Sequence, residues 1–262
     1  MMNYSYWEYK EWFTDNDFVV VGSGIVGLNC AIHLKERFPK SKVVVLEKGL
    51  LPQGASTKNA GFACFGSTSE LLSDLKNHSK EEVFQLVKKR WEGLQFIRNL
   101  LGDINIDYQH NYGYELFSDE VFFEKCKNKT EELNKLLFPL FNANVFSTTQ
   151  NKFNFQNTVP SYLVNKFEAQ IDPGKMVSQL LKKAQEQGVK VLNNISVLGF
   201  SEGTNQVKIN TSQGEISASK VFFATNGFSR ELLKESISPA RAQVLITSQI
   251  KNLHIKGTFH LE

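Results

Sequence analysis

The feature that most constrains this chain is the run Phe18-Val19-Val20-Val21 leading without a spacer into Gly22-Ser23-Gly24-Ile25-Val26-Gly27. Four apolar, mostly β-branched residues that stop at glycine predict a strand buried on both faces, as in a parallel sheet. From Ile25 the apolar positions Leu28, Ala31, Ile32 and Leu34 recur with helical spacing until Pro39. Val43-Val44-Val45-Leu46-Glu47 predicts a second buried strand, so this segment reads as a βαβ unit with two parallel strands.

A lone G-x-G-x-x-G carries little weight, but here it follows a strand, opens a helix and is followed about 20 residues on by the acidic Glu47. Gly22 permits the tight turn, Gly24 lets a pyrophosphate approach the backbone, and Gly27 with the small Ala31 lets helix and strand pack closely. The exposed N–H groups and the positive helix end attract an anion. Glu47 can accept hydrogen bonds from both ribose hydroxyls and would repel a 2′-phosphate, which disfavours NADP.

Further along, Ser79-Lys80-Glu81-Glu82 fits a capping box, and Val83, Val87, Trp91, Leu94, Ile97 and Leu101 mark a buried stripe ending at Gly102. Residues 49 to 69 are Gly-, Ser- and Thr-rich without a period and read as a long loop. From 103 to 165 aromatic, Asn-rich segments such as Tyr112-Gly113-Tyr114-Glu115-Leu116-Phe117 alternate like half-buried strands, with one helix near 119 to 137. After Asp172-Pro173 a helix runs to Gly188, followed by a strand at Val189-Lys190-Val191-Leu192 and a hairpin around Gly203 and Gly214. Val221-Phe222-Phe223-Ala224-Thr225-Asn226-Gly227 reads as a returning buried strand.

The fold class is therefore α/β. A Rossmann-like dinucleotide-binding domain built from residues 14–102 and 166–240 carries an inserted mixed or antiparallel-sheet domain from 103–165 and 241–262.

Composition narrows the function classes. With 30 Lys+Arg against 27 Asp+Glu the formal charge is +3, scattered along the chain, and only 5 of the basic residues are Arg, so nucleic acid is a poor partner. Cys30, Cys64 and Cys126 are odd in number and far apart, which fits neither a disulfide framework nor a zinc knuckle and points to a reducing, cytoplasmic compartment. No run of 18 apolar residues and no cationic start before an apolar stretch predicts a spanning helix or signal peptide. The five histidines lack ligand spacing, so no metal is expected, and Cys64 reads as a packing residue. Arg241 reads as a member of a structural ion pair, and the Phe-rich segments at 117–123 and 138–146 as core.

Gly22 to Gly27, Glu47, Gly54-Ala55-Ser56-Thr57-Lys58-Asn59-Ala60-Gly61 and Ala224-Thr225-Asn226-Gly227 together resemble the FAD-dependent oxidoreductases of the D-amino-acid oxidase, glycine oxidase and sarcosine oxidase superfamily. The likeness covers most of residues 17 to 262. It implies FAD as cofactor, with the first domain holding it and the inserted domain serving the substrate. By this resemblance Gly22, Ser23, Gly24, Ile25, Val26, Gly27, Glu47 and Lys48 surround the nucleotide. Ser56, Thr57, Lys58, Asn59, Ala60 and Gly61 touch pyrophosphate and flavin, Val197 brackets adenine through its backbone, and Ala224, Thr225, Asn226 and Gly227 line the cofactor. Lys58 stands where arginine is common, keeping the charge and losing a bidentate contact.

The resemblance also implies that family members continue beyond Glu262. Self-association through an incomplete sheet edge at 243–262 is expected. The leading reading is oxidation of a C–N bond in an amino acid or related amine, with no catalytic residue nominated. The alternatives are a non-catalytic or fragmentary dinucleotide-binding module, and a flavin-dependent hydroxy-acid oxidoreductase.

Overall fold

A computed structural model of the chain describes residues 4–234, 236–240, 244, 246–248 and 250–262. In chain order the strands are β1 (Asn16–Val21), β2 (Val43–Leu46), β3 (Phe62–Ala63), β4 (Gly113–Leu116), β5 (Phe146–Gln150), β6 (Ser161–Asn165), β7 (Ala169–Gln170), β8 (Lys190–Leu192), β9 (Val197–Glu202), β10 (Val207–Thr211), β11 (Gly214–Phe223) and β12 (Thr258–Leu261). The helices are α1 (Tyr6–Glu8), α2 (Ile25–Arg37), α3 (Thr68–Asp74), α4 (Lys80–Leu101), α5 (Glu120–Lys127), α6 (Thr130–Phe141), α7 (Pro173–Glu186) and α8 (Ser229–Leu233).

The chain divides into two compact units, residues 1–60 with 173–245 and residues 61–172 with 246–262. The sequence put the first switch near 102. The difference is the stretch holding β3, α3 and α4, whose buried Phe65, Leu71, Val83 and Val87 pack with Leu133, Leu137, Val145 and Phe146 of the second unit.

In the first unit a six-stranded sheet has the order β8-β2-β1-β11-β10-β9, with β8, β2, β1 and β11 parallel and β11-β10-β9 an antiparallel meander. Val19, Val21, Val44 and Leu46 share one face of the sheet and pack with Ile195, Ile209, Ile216 and Ala218, so the meander supplies the layer over that face. Helix α2 buries Gly27, Leu28, Ala31 and Ile32 and packs on β1, β2 and α7. Residues 221–223, expected as a separate buried strand, are instead the end of the ten-residue β11. There Phe222 stays 37% exposed, because β10 pairs with β11 only as far as Ala218 and the last residues have β1 alone beside them.

The second unit is built on a mixed sheet of order β12-β4-β6-β5, in which only β12 and β4 are parallel, plus the two-stranded β3-β7. Helix α4 starts at Ser79 in the expected capping box, Ser79 Oγ accepting from Glu82 N while Ser79 N donates to Glu82, and it ends at Gly102. The helix expected over 119–137 is two helices. Hydrogen bonds from Asn128 N to Glu124 O and from Lys129 N to Cys126 O close α5 before α6 begins. Helix α6 then runs through Pro139 to Phe141 and stops at Asn142, at φ +49°. The loop expected over 49–69 contains β3 and the start of α3, whose Ser67 and Glu70 form another capping box. Within the Phe-rich segments Phe117, Phe123 and Phe146 are buried, whereas Phe138 is exposed.

Candidate dinucleotide site

The carboxyl ends of β1, β2 and β11 gather most of the residues singled out in the sequence. Gly22 has φ +104°, a region L side chains rarely adopt, and a Cβ there would lie 2.6 Å from the Ala224 carbonyl oxygen. A Cβ on Gly27 would overlap the Gly22 carbonyl oxygen and lie 3.3 Å from Ala224 Cβ. Helix α2 can leave the strand at this angle only with hydrogen at both positions, and Ala224 N, bonded to Val21 O at 2.8 Å, presses against the same turn. At Gly24 a Cβ would meet Ser56 Oγ at 3.0 Å, and that hydroxyl accepts from Ile25 N at 2.9 Å, covering a donor at the start of α2. Val26, on the same first turn, is exposed.

Glu47 is 8% exposed and fixed by three donors: Ser23 N at 3.1 Å and Ser23 Oγ at 2.6 Å to Oε2, and Gly49 N at 2.9 Å to Oε1. A solvated glutamate is thereby ruled out. A carboxylate has about four lone-pair sites, so one acceptor site remains after these three bonds. Ile195 N donates to Glu47 O and Asn194 N to Gly49 O, which brings the segment entering β9 at Val197 to the end of β2. Val197 itself packs against the first unit's core and pairs with Thr211 across an irregular register.

In the Ser56–Gly61 segment, Thr57 Oγ1 donates to Pro52 O and Gly54 O, and Asn59 Nδ2 to Ala55 O and Ser56 O. These polar groups hold the turn together, leaving Lys58 and Ala60 exposed at its surface. Gly61 opens the second unit with φ +74°, its carbonyl accepting from Ile171 N. In the returning segment Thr225 Oγ1 and Ser229 Oγ are 2.8 Å apart, Asn226 has φ +51°, and a Cβ on Gly227 would lie 2.6 Å from Pro239 Cβ. Arg241 lies outside the described residues, as does Gln243.

Sequence reasoning missed two features. Phe228, the aromatic residue directly after Asn226-Gly227, is 56% exposed, and the Lys48 ammonium sits 3.5 Å from its ring centroid. In the second unit Glu168, 1% exposed, accepts through Oε1 from Thr258 Oγ1 at 2.6 Å and pairs with His260 Nε2 at 2.8 Å. Burial alone would lower the His260 pKa, but the hydrogen bond and charge of Glu168, with Glu70 and Glu115 beyond, outweigh it and hold it up. A Cβ on Gly113 would run into the same carboxylate, with Oε1 at 2.9 Å. Glu115 accepts from Thr68 N and Ser69 N at the start of α3, and burial still pushes its pKa up. Burial and the nearby Glu168 raise the Cys64 thiol to about 12, so it is protonated at neutral pH. Among the described residues no group of three or more His, Cys, Asp or Glu is arranged to hold a metal, and no helix is long and apolar enough to cross a membrane.

A glycine turn between a parallel strand and a helix, with a buried acidic residue ending the neighbouring strand, defines the class of α/β dinucleotide-binding proteins. Residues 17–260 match the family model described as FAD dependent oxidoreductase (DAO), and the chain belongs to that family. It is 24% identical to the bifunctional protein ThiO/ThiG of Synechocystis over 88% of this chain and 33% of that protein. It is 24% identical to gamma-glutamylputrescine oxidoreductase of Escherichia coli over 89% of this chain and 55% of that protein. D-amino acid dehydrogenase of Helicobacter pylori is 26% identical, over 84% and 62%. In fold the chain is similar to glycine oxidase from Geobacillus kaustophilus, with TM-score 0.62 and 17% identity over 84% of this chain and 57% of that one. The chain thus spans between about a third and three fifths of the length of these proteins.

Proposed function

We propose that this chain holds FAD across the Gly22–Gly27 turn and serves an oxidoreductase that oxidises the C–N bond of an amino acid or related amine. The carrying observation is the buried Glu47 carboxylate, held by Ser23 and Gly49 with one acceptor site to spare beside a turn that excludes any Cβ at Gly22 and Gly27. That cradle fits the ribose and pyrophosphate of a dinucleotide. Bound flavin would supply hydride acceptance, the chemistry of this cofactor class. Within the chain, Gly24 brings backbone to the anion while Ser56 covers Ile25 N beside it, Glu47 grips a ribose hydroxyl, and Val197, Ser56–Gly61 and Ala224–Gly227 flank the cofactor. The second unit serves the substrate.

Relatives named for D-amino acid, glycine and gamma-glutamylputrescine oxidation support an amine or amino-acid substrate over a hydroxy acid. Three free cysteines, each with its thiol pKa raised, suit a reducing cytoplasm. A second reading is a dinucleotide-binding module without turnover, since the polar groups gathered at the Gly22–Gly27 turn and Glu47 suit binding and none of them is assigned a catalytic role. An absorption scan of the purified protein for flavin tests the first step: a folded, colourless protein that FAD cannot reconstitute refutes the reading. A screen of D-amino acids, glycine, sarcosine and proline with an artificial electron acceptor separates the two readings, since turnover by the 262-residue chain removes the module.

A further inference from the structure

Lys48 lies two residues past the end of β2, and Phe228 lies shortly past the end of β11. Those strands flank β1 on its two sides, so the 3.5 Å contact between ammonium and ring bridges the carboxyl end of the strand from which the glycine turn departs. The ring is not placed by chance of rotamer alone. Ala224 N is bonded to Val21 O, Phe228 N donates to Thr225 O at 3.1 Å, and the Thr225 and Ser229 hydroxyls close the turn around it. The adjacent carboxylate of Glu47 takes its hydrogen bonds from Ser23 and Gly49, and among the described residues no ion pair joins it to Lys48. The positive charge is therefore anchored by an aromatic face, which attracts a cation without neutralising it.

We infer that Phe228 is a positioning residue of the dinucleotide site, its ring holding the Lys48 ammonium across the end of β1 as the fixed cation that meets the anionic diphosphate. This rests on the FAD reading above. Lys58 cannot fill the role as well, because it projects from an exposed turn and no cation–π contact anchors it among the described residues. Phe228 contributes no hydrogen bond to the nucleotide; its effect passes through Lys48.

FAD binding to the full chain, followed by quenching of flavin fluorescence at low and moderate salt, tests the assignment. Phe228→Leu should weaken binding about threefold, the size of an exposed cation–π contact, and flatten the salt dependence. Lys48→Met should weaken it on the order of tenfold, as loss of a charged hydrogen-bond donor does. The double variant should match Lys48→Met, and Phe228→Trp should keep wild-type affinity and salt slope. Losses that add in the double variant, a Trp that behaves like Leu, or a Leu that behaves like wild type would each overturn the proposal while leaving the FAD reading intact. A wild-type chain that takes up no flavin overturns that reading and this proposal together. The Lys48 ε-methylene proton shift, moved upfield by the ring in wild type and restored in Phe228→Leu, checks the contact itself without cofactor; an unmoved shift also overturns the proposal.

Discussion

Alanine at position 27 should destabilise the first unit, although alanine ordinarily favours a helix over glycine. The added Cβ would overlap the Gly22 carbonyl oxygen and sit 3.0 Å from Gly22 C and 3.3 Å from Ala224 Cβ. The obstructing atoms are backbone, fixed by Gly22 N to Leu46 O and Ala224 N to Val21 O, so no side chain can rotate aside. Helix propensity returns about 1 kcal/mol, whereas forcing a methyl into a packed site costs about 1–3 kcal/mol and more when the backbone must move. A net loss of ~2 kcal/mol corresponds to a melting point lower by roughly 4–8 °C for 150–250 residues. Gly93 supplies the control: it lies inside α4 with nothing within 4 Å of a built Cβ, so Gly93→Ala should gain about 0.5–1 kcal/mol. Hydrogen exchange of α2 and α4 peptides along a urea series reads each unit separately. A Gly27→Ala protein as stable as wild type in its α2 peptides would refute the close approach of helix and strand on which the site is built.

Gly24→Val should abolish flavin retention, because a branched side chain takes the space where a diphosphate must lie against N–H groups. Glu47→Ala should weaken it tenfold to a hundredfold, the equivalent of roughly 1.5–3 kcal/mol, as equilibrium dialysis would record. The His260–Glu168 pair makes stability pH-dependent in a defined direction. A histidine whose pKa is higher folded than unfolded stabilises fully below its unfolded pKa, and that contribution disappears as pH rises through the folded value. Urea midpoints of the second unit should fall from pH 6 upward in wild type, and Glu168→Gln should remove that slope; a slope that survives would assign it elsewhere. Cys64 and Cys126, raised to about 12 and about 11 chiefly by burial, should resist iodoacetamide at pH 8 in the native protein and react after denaturation. Prompt labelling of either in the native state would refute its shielding from solvent.

The legible parts of this fold are those whose causes are local. Val19–Val21 into Gly22, the Ser79–Glu82 capping box and the Gly102 and Gly188 stops each carry their structural reason within a few residues, and each holds. The placement of candidate residues 22–27 and 47 at the ends of β1 and β2 was legible because glycine spacing and strand ends share one short stretch. What failed depended on distant partners. The β3-β7 pair has two residues per strand and no pattern to read. The break between α5 and α6 has no glycine or proline, only Asn128 and Lys129 bonding back into α5. The burial of Glu115 depends on α3, 46 residues away in sequence, and that of Glu168 on Thr258 and His260, 90 and 92 away. Phe228 falls between: its position after Asn226-Gly227 was visible, but its partner Lys48 lay across a strand order the sequence only partly implied.

Strand β11 also governs the order in which this protein can assemble. Asn16, at the start of β1, is bonded to Ser217 across a separation of 201 residues. Closing so long a loop is slow relative to the helix and hairpin contacts nearby in sequence. During synthesis β1, α2 and β2 emerge well before β11, and the Val19–Val21 edge that β11 will cover stays bare until residue 223 has left the ribosome. Meanwhile the α3–α6 helices and the β5-β6 hairpin, whose partners lie close by, can form inside the interruption. From the release of β1 until β11 follows it, the nascent chain therefore carries an unpaired, β-branched strand edge, and that edge is where a stalled or shortened product would aggregate.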